Sequence, residues 1–274
     1  MTFTLTPLLE PSPSLPPRRQ VHISLAGLQW STFQAMVAEL EPSASLELSY
    51  STAGATISQQ SNHDSDLAQV VFLRGLSWQT YRAILQDIGD ERSWRIAFNQ
   101  GELEIRMPST PHEEAKRMLE DFITVIVDEL ELEARSLGSL TLEQEALQRA
   151  VEPDSCFYIQ NEAQVRSKKN IRLSEDPPPD LAIEADYTNS SLNKYEIYAA
   201  IGVPEIWRYR SQQLEVYILS QGAYHRTEKS LAFPFLPLAE VPDFIEKSRE
   251  IGQRKAVRLF RRRIQQVLDA DAVI

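Results

Sequence analysis

Apolar and polar positions along this chain repeat with two periods, one helical and one extended. Met118, Phe122, Val125, Ile126 and Leu130 recur at helical spacing, which predicts a long amphipathic helix from residue 110 to about 132. Thr110-Pro111-His112-Glu113 opens it as a T-x-x-E capping box with proline at the first helical position. A second stripe, Val257, Phe260, Ile264, Val267 and Leu268, marks a helix near the C-terminal end. Arg254, Lys255, Arg258, Arg261 and Arg262 lie mainly off that stripe. Extended runs predict strands over residues 155–160, over 180–185 behind the breaker Pro177-Pro178-Pro179, and over 205–210 and 214–219 around Ser211-Gln212-Gln213. Two shorter helices are expected. One starts at a Thr141–Gln144 box and carries Leu142, Ala146 and Leu147, and the other spans 191–201 and stops at Gly202. The strand–helix–strand order over 180–210 implies a parallel strand pair inside a mixed sheet.

Ahead of these elements the pattern repeats itself. Residues 25–36 (LAGLQWSTFQAM) align with residues 73–84 (LRGLSWQTYRAI), which places Trp30 and Trp78 48 positions apart. The register continues, so that LELSY at 46–50 matches WRIAF at 94–98. Each copy reads as a helix followed by a β-hairpin. In the second, Ser77 caps the helix, Gly89 ends it and Asn99-Gln100-Gly101 makes the turn. Two copies are too few for a solenoid and read as a duplicated packing unit. Residues 1–19 hold five prolines and end in Arg18-Arg19, which reads as a disordered tail.

Composition narrows the chemistry. The 274 residues are 42% hydrophobic, with 28 Lys+Arg against 39 Asp+Glu and a net charge of -11. So acidic a chain is not a general nucleic-acid coat or a membrane-surface binder, although a local basic patch is compatible with it. The single cysteine, Cys156, excludes a disulfide framework and multi-cysteine metal sites, and reads as inert packing in an apolar strand. No apolar run approaches the roughly 18 residues of a membrane span. No basic cluster precedes an apolar block at the N-terminus, so no secretory signal is expected and the expected location is the cytoplasm. Nine dispersed glycines leave no GxGxxG or P-loop, there is no GxSxG, and His112 is not followed by ExxH. Carboxylate chemistry is what survives.

Asp154 precedes one strand, Glu184 sits in the next and Lys194 lies in the following helix. The segments EPDSCFYIQN (152–161), PPPDLAIE (177–184) and SSLNKYEIYAAIGVPEIW (190–207) resemble the Uma-two family of restriction-endonuclease-like proteins, which is assigned to the PD-(D/E)XK nuclease superfamily. GELEI (101–105) and MPSTPHE (107–113) extend the resemblance, which covers about residues 69 to 240. It implies an α/β, restriction-endonuclease-like fold: a mixed β-sheet core flanked by helices, joined to the duplicated N-terminal helix–hairpin unit and a C-terminal helix. The expected division is a tail over 1–19, a degenerate repeat over 20–66, an endonuclease-like domain over 67–240 and a C-terminal amphipathic helix over 241–274.

The resemblance also implies a reaction, metal-dependent hydrolysis of DNA phosphodiesters. Asp154 and Glu184 would hold Mg²⁺ or Mn²⁺, and Asp154, Glu184 and Lys194 would form the catalytic set. The family tripeptide here reads Glu184-Ala185-Asp186, with aspartate in the lysine slot, so Lys194 is the candidate for a relocated lysine. Asp180, Asp186, His112 and Glu113 are candidate supporting residues. Asp180 and Glu184 would sit ~13 Å apart along a strand, too far to share one Mg²⁺ whose ligands bind at ~2.1 Å. That leaves Asp180 to fix the strand entrance or orient a metal ligand. Asp186, about 7 Å from Glu184 on the same face, could reach the metal or pair with Lys194. Plainer roles stand beside these: Glu113 as a capping acid, His112 as a first-turn structural histidine, the four tryptophans as core, and the arginines of 254–263 as a wet helix face or a phosphate contact. The alternative function is a catalytically inactive nuclease fold that binds nucleic acid or protein. Expected partners are DNA, a second copy of the chain and a protein engaged through the N-terminal repeat, with no membrane.

Overall fold

The computed structural model describes residues 2–4, 20–60, 69–89, 92–185 and 192–271. Contacts divide the chain into two compact units, the first mainly up to Pro108 and the second mainly from Ser109 onward. Among the described residues no helix is long and apolar enough to cross a membrane.

The first unit holds β1 (Thr2–Thr4), β2 (Gln20–Ala26), α1 (Trp30–Glu39), β3 (Leu46–Ser51) and β4 (Gly54–Gln60). Then come β5 (Gln69–Arg74), α2 (Trp78–Ile88), β6 (Arg95–Asn99) and β7 (Glu102–Met107). The duplication is topological as well as sequential. Each copy is strand, helix, hairpin, and in each the last strand lies between the other two, β4 between β3 and β2, β7 between β6 and β5. The opening strand is the element that the sequence reading left out. Thr2–Thr4, read as part of a disordered tail, pairs antiparallel with β3, whereas residues 5–19 lie outside the described set.

Both copies feed one hydrophobic core: Ile23, Leu25, Phe33 and Met36 meet Leu73, Tyr81, Ile84 and Ile105. The helices also cap one another. Glu39, at the end of α1, accepts hydrogen bonds from Ser77 N (2.8 Å), Ser77 Oγ (2.8 Å) and Thr80 Oγ1 (2.8 Å) at the start of α2. Asp87, its counterpart 48 positions on, accepts from Gln29 N (3.0 Å) at the start of α1. Gly27 and Gly75, also counterparts, have φ of +85° and +87°. A Cβ on Gly75 would meet Glu39 O at 2.7 Å and one on Gly27 would meet Asp87 O at 3.2 Å, so the reciprocal contact needs glycine on both sides. The copies differ at the surface. Trp78 is 4% exposed but Trp30 is 38% exposed, which corrects the expectation that all four tryptophans are core.

In the second unit α3 (Thr110–Glu129) is capped one residue earlier than the T-x-x-E reading placed it. Ser109 is the N-cap, Pro111 is the second helical residue, and Ser109 N donates to His112 Nδ1 at 3.4 Å. β8 (Arg135–Ser136) and β9 (Leu142–Gln144) follow; Glu145–Ala150 then belongs to the first unit and opens with a single 3₁₀ turn over Glu145–Leu147 where a second helix was expected. Gln148, at φ +49°, breaks the chain direction there, and a segment this short makes too few hydrogen bonds to offset helix nucleation. The same stretch runs into β10 (Arg149–Val151), and the second unit, resuming at Val151, continues with β11 (Ser155–Tyr158), α4 (Glu162–Val165), β12 (Leu181–Ala185), α5 (Lys194–Ile201), β13 (Glu205–Arg210), β14 (Gln213–Ser220), β15 (Ala223–Thr227), α6 (Val241–Ile251) and α7 (Gln253–Asp271). The expected single C-terminal helix is thus two, parted at Gly252 (φ +89°).

Strand order β15-β14-β13-β12-β11-β8 makes a mixed sheet in which β12 and β13 are parallel and joined by α5. The tight link between β13 and β14 is two residues, Ser211 and Gln212, both at positive φ, rather than the three that the sequence suggested. Strand periodicity gives the sheet two unlike faces. Leu181, Ile183 and Ala185 point with Phe157, Trp207, Tyr209 and Val216 into the core made with α3, α6 and α7. The alternate residue Glu184 points to the opposite face, toward α5.

The helix-capping acid Glu39 yields a test. Burial pushes its carboxyl up, but the bonds from Ser77 N, Thr80 Oγ1 and Ser77 Oγ outweigh this and hold it below its ordinary value of 4.5. A depressed folded value means stability present above the unfolded value and lost as pH falls through the folded one. Glu39→Gln is expected to lower stability by about 1–2 kcal/mol at pH 7. The gap to wild type should close in denaturant titrations as the pH is taken below the ordinary carboxylate range.

Candidate active site

Glu184 is the second-last residue of β12, a strand buried at every position. A carboxylate there requires partners, and α5 supplies two. Lys194 Nζ lies 3.2 Å from Glu184 Oε2, with side chains 14% and 7% exposed, and the Tyr198 hydroxyl donates to Glu184 Oε1 at 2.5 Å. Lys194 and Tyr198 are one helical turn apart, so both side chains reach down from the same face of α5. The helix begins at Lys194, with Asn193 as N-cap, rather than at residue 191, which lies outside the described residues. A lysine ammonium in a first turn opposes the helix dipole, and the Glu184 carboxylate offsets that cost.

Asp154 is buried just ahead of β11. Its backbone N–H donates to Ile183 O at 3.1 Å, and its Oδ2 accepts from Ala185 N at 2.8 Å. The carboxylate is therefore fastened to the backbone of the residue next to Glu184. The structure brings Asp154, Glu184 and Lys194 to the same end of the β11–β12 pair.

Asp180 does something else. Its Oδ2 accepts from Ile159 N (2.6 Å) and Asn161 N (2.9 Å), and its Oδ1 accepts from Asn161 Nδ2 (2.6 Å). It locks the turn after β11 against the entrance of β12. His112 serves the N-terminus of α3, and Glu113 pairs with Lys116 at 3.5 Å. Asp186 lies outside the described residues. Glu205, a further buried acid, faces the core and accepts from Trp207 Nε1 (2.7 Å) and Ala232 N (2.8 Å), and burial pushes its carboxyl above the usual range. Cys156 is buried and its thiol is pushed up to about 12, which leaves no thiolate at neutral pH.

Tyr198 is the site residue that the sequence reading missed, although its signal was visible as a second polar-tipped residue one turn after Lys194. Three of the five arginines of α7 are held in ion pairs. Arg254 pairs with Asp121 (3.1 Å), Arg261 with Asp128 (2.8 Å) and Glu129 (2.5 Å), and Arg263 with Glu240 (2.7 Å). Such pairing weakens the case for that helix as a phosphate contact.

Among the described residues no cluster of three or more His, Cys, Asp or Glu side chains could hold a metal ion. Two carboxylates without thiol or imidazole still suit a hard cation such as Mg²⁺, which keeps several of its waters.

Taken together, a mixed sheet with helices packed on it and a carboxylate–lysine site at one end of its central strands defines a restriction-endonuclease-like α/β protein. Residues 78–249 match the family model Uma2, described as "Putative restriction endonuclease", and the chain belongs to that family. Among solved structures it is similar to a "putative nuclease belonging to DUF820 from Anabaena variabilis ATCC 29413", at 15% identity and a TM-score of 0.42, over 66% of this chain and 99% of that one. No curated protein matches the sequence.

Asp180 provides a check on the division of labour among the acids. Each buried donor left unpaired costs about 1–3 kcal/mol, so Asp180→Ala should destabilise the protein by about 3 kcal/mol or more. Asp180→Asn, which keeps an acceptor for the backbone, should cost only about 1 kcal/mol. Urea unfolding of the two variants reads the difference.

Proposed function

We propose that this protein is a metal-dependent endodeoxyribonuclease. The observation that carries the reading is the Lys194–Glu184 contact with Asp154 fastened one residue away. Two acids from adjacent strands and an ammonium from the crossover helix stand at one sheet end, in a chain of the restriction-endonuclease-like family. Asp154 and Glu184 would hold Mg²⁺ or Mn²⁺, which when bound polarises a phosphoryl oxygen and lowers the pKa of water. Lys194, released from Glu184, would direct its N–H donors at the attacking water or at charge growing on the phosphate. Tyr198 keeps Glu184 in place while this happens. Hydrolysis adds water across one P–O ester bond of the DNA, and the low exposure of Glu184 and Lys194 strengthens each electrostatic contact there.

A second reading has its own observation. Both oxygens of Glu184 are already engaged by Lys194 and Tyr198, a self-satisfied arrangement that also suits an inactive nuclease fold that binds nucleic acid or protein. Cleavage of supercoiled and single-stranded DNA in Mn²⁺ separates the two. The nuclease reading expects metal-dependent nicking by the wild type and a loss of at least about a hundredfold in both Glu184→Ala and Lys194→Ala. Equal trace activity in all three proteins marks contamination and removes the enzyme. DNA binding that persists in the variants without any cleavage points to the binding module.

A further inference from the structure

Two groups from one helix hold one carboxylate, and they differ in kind. The Tyr198 hydroxyl bonds to Glu184 Oε1 at 2.5 Å and the Lys194 ammonium to Oε2 at 3.2 Å. Tyr198 is 1% exposed and Glu184 5% exposed, so the phenol contact is fixed by packing on both sides. A neutral hydroxyl can stay on one carboxylate oxygen while the other meets a cation. An ammonium cannot share that second oxygen with a cation without direct charge repulsion. We propose that Tyr198 is a positioning residue that pins Glu184 Oε1, so that Oε2 is the oxygen offered to a divalent ion and Lys194 is the group that the ion displaces. This deepens the metal-dependent reading above and rests on it.

The two contacts therefore act on cation binding with opposite signs. Tyr198→Phe keeps the ring in its packed place and removes only the hydroxyl. The carboxylate is then free to rotate, and Mn²⁺ affinity should fall about tenfold or more. Lys194→Met removes the competing charge while keeping most of the side chain's length, and Mn²⁺ affinity should rise. Calorimetric titration of Mn²⁺ into the full-length protein without DNA reads both changes independently of cleavage, and thermal melts establish that each variant is folded. Cleavage by Tyr198→Phe should return toward the wild-type rate as Mn²⁺ is raised, because its defect lies in holding the ion. Lys194→Met should stay inactive at any Mn²⁺ concentration.

If the wild type binds Mn²⁺ and Tyr198→Phe binds it equally well, the positioning role fails while the nuclease reading stands. If Lys194→Met binds Mn²⁺ more weakly than wild type, the displacement fails, and this arm decides the matter even should Tyr198→Phe not fold. A wild type that takes up no Mn²⁺ and cuts no DNA removes the metal-dependent reading and this proposal together.

Discussion

A carboxylate on a strand buried at every position has to be compensated, and that requirement shapes the second unit. Glu184 has a side chain 7% exposed and sits near the end of β12, between β11 and β13. An unpaired charge there would cost several kcal/mol (about 3–5 where a buried partner is removed). The compensation comes from the crossover. Because β12 and β13 are parallel, the chain must return past the sheet before it can add the next strand, and α5 is that return. The helix that closes the topology is thus the helix that delivers Lys194 and Tyr198. Fold and site are one constraint here, and a change in the length of α5 or of the segment before it would act on both.

The first unit solves a different problem. A single strand–helix–hairpin module buries only one face of a small sheet, and that is too little apolar area for independent stability. Duplication supplies the second face, and the shared core of residues from both copies is the result. What holds the copies in a defined relation is polar as well as apolar. Each helix end places an acid on the N–H groups that begin the other helix, at equivalent positions. Helix N-termini carry unsatisfied donors and partial positive charge, so an acid from the neighbouring helix serves as both cap and counter-charge. The two sides are no longer equal. Glu39 accepts from one N–H and two hydroxyls at the start of α2, whereas Asp87 meets the N–H of Gln29, which lacks the hydroxyl that Ser77 has.

Much of this was legible from residue order. The duplication showed in aligned Trp, Gly and Leu positions, of which the leucines are buried and the glycines are fixed by close backbone contacts. The crossover and its parallel pair followed from a strand, a helix and a strand with breakers between them. What failed did so for local reasons. The Thr141 segment had helical capping residues but too few residues to form a helix, and Gln148 in a left-handed conformation leaves no mark in composition. The capping register at α3 slipped by one because Ser109 and Thr110 are both competent caps, and the extended Ser109 backbone, with its N–H on the His112 ring nitrogen, decides between them. Strand spacing separates Asp180 from Glu184 and points it to the strand entrance, but it names no partner for either acid. Only coordinates show that one is spent on backbone N–H groups of a turn while another meets an ammonium. Tyr198 was overlooked because a tyrosine on a helix face reads as packing unless its hydroxyl can be traced to a charged partner.

The net charge of -11 now has a structural context. In α7, where the sequence concentrates its arginines, Arg254, Arg261 and Arg263 are bound to acids of the same unit. Such pairs contribute little to stability at an exposed surface, but they remove positive potential that would otherwise attract a polyanion. On the nuclease reading, a phosphodiester would have to reach the carboxylate site without broad electrostatic attraction. The attraction has to be local and conditional. An ammonium that neutralises Glu184 at rest, and turns to the phosphate only once a cation has taken that carboxylate, would confine positive charge to the moment and place where the reaction needs it. On this reading the acidic composition and the tight pairing within the site are parts of one arrangement. Binding to nucleic acid would then depend on the metal more steeply than on the concentration of monovalent salt.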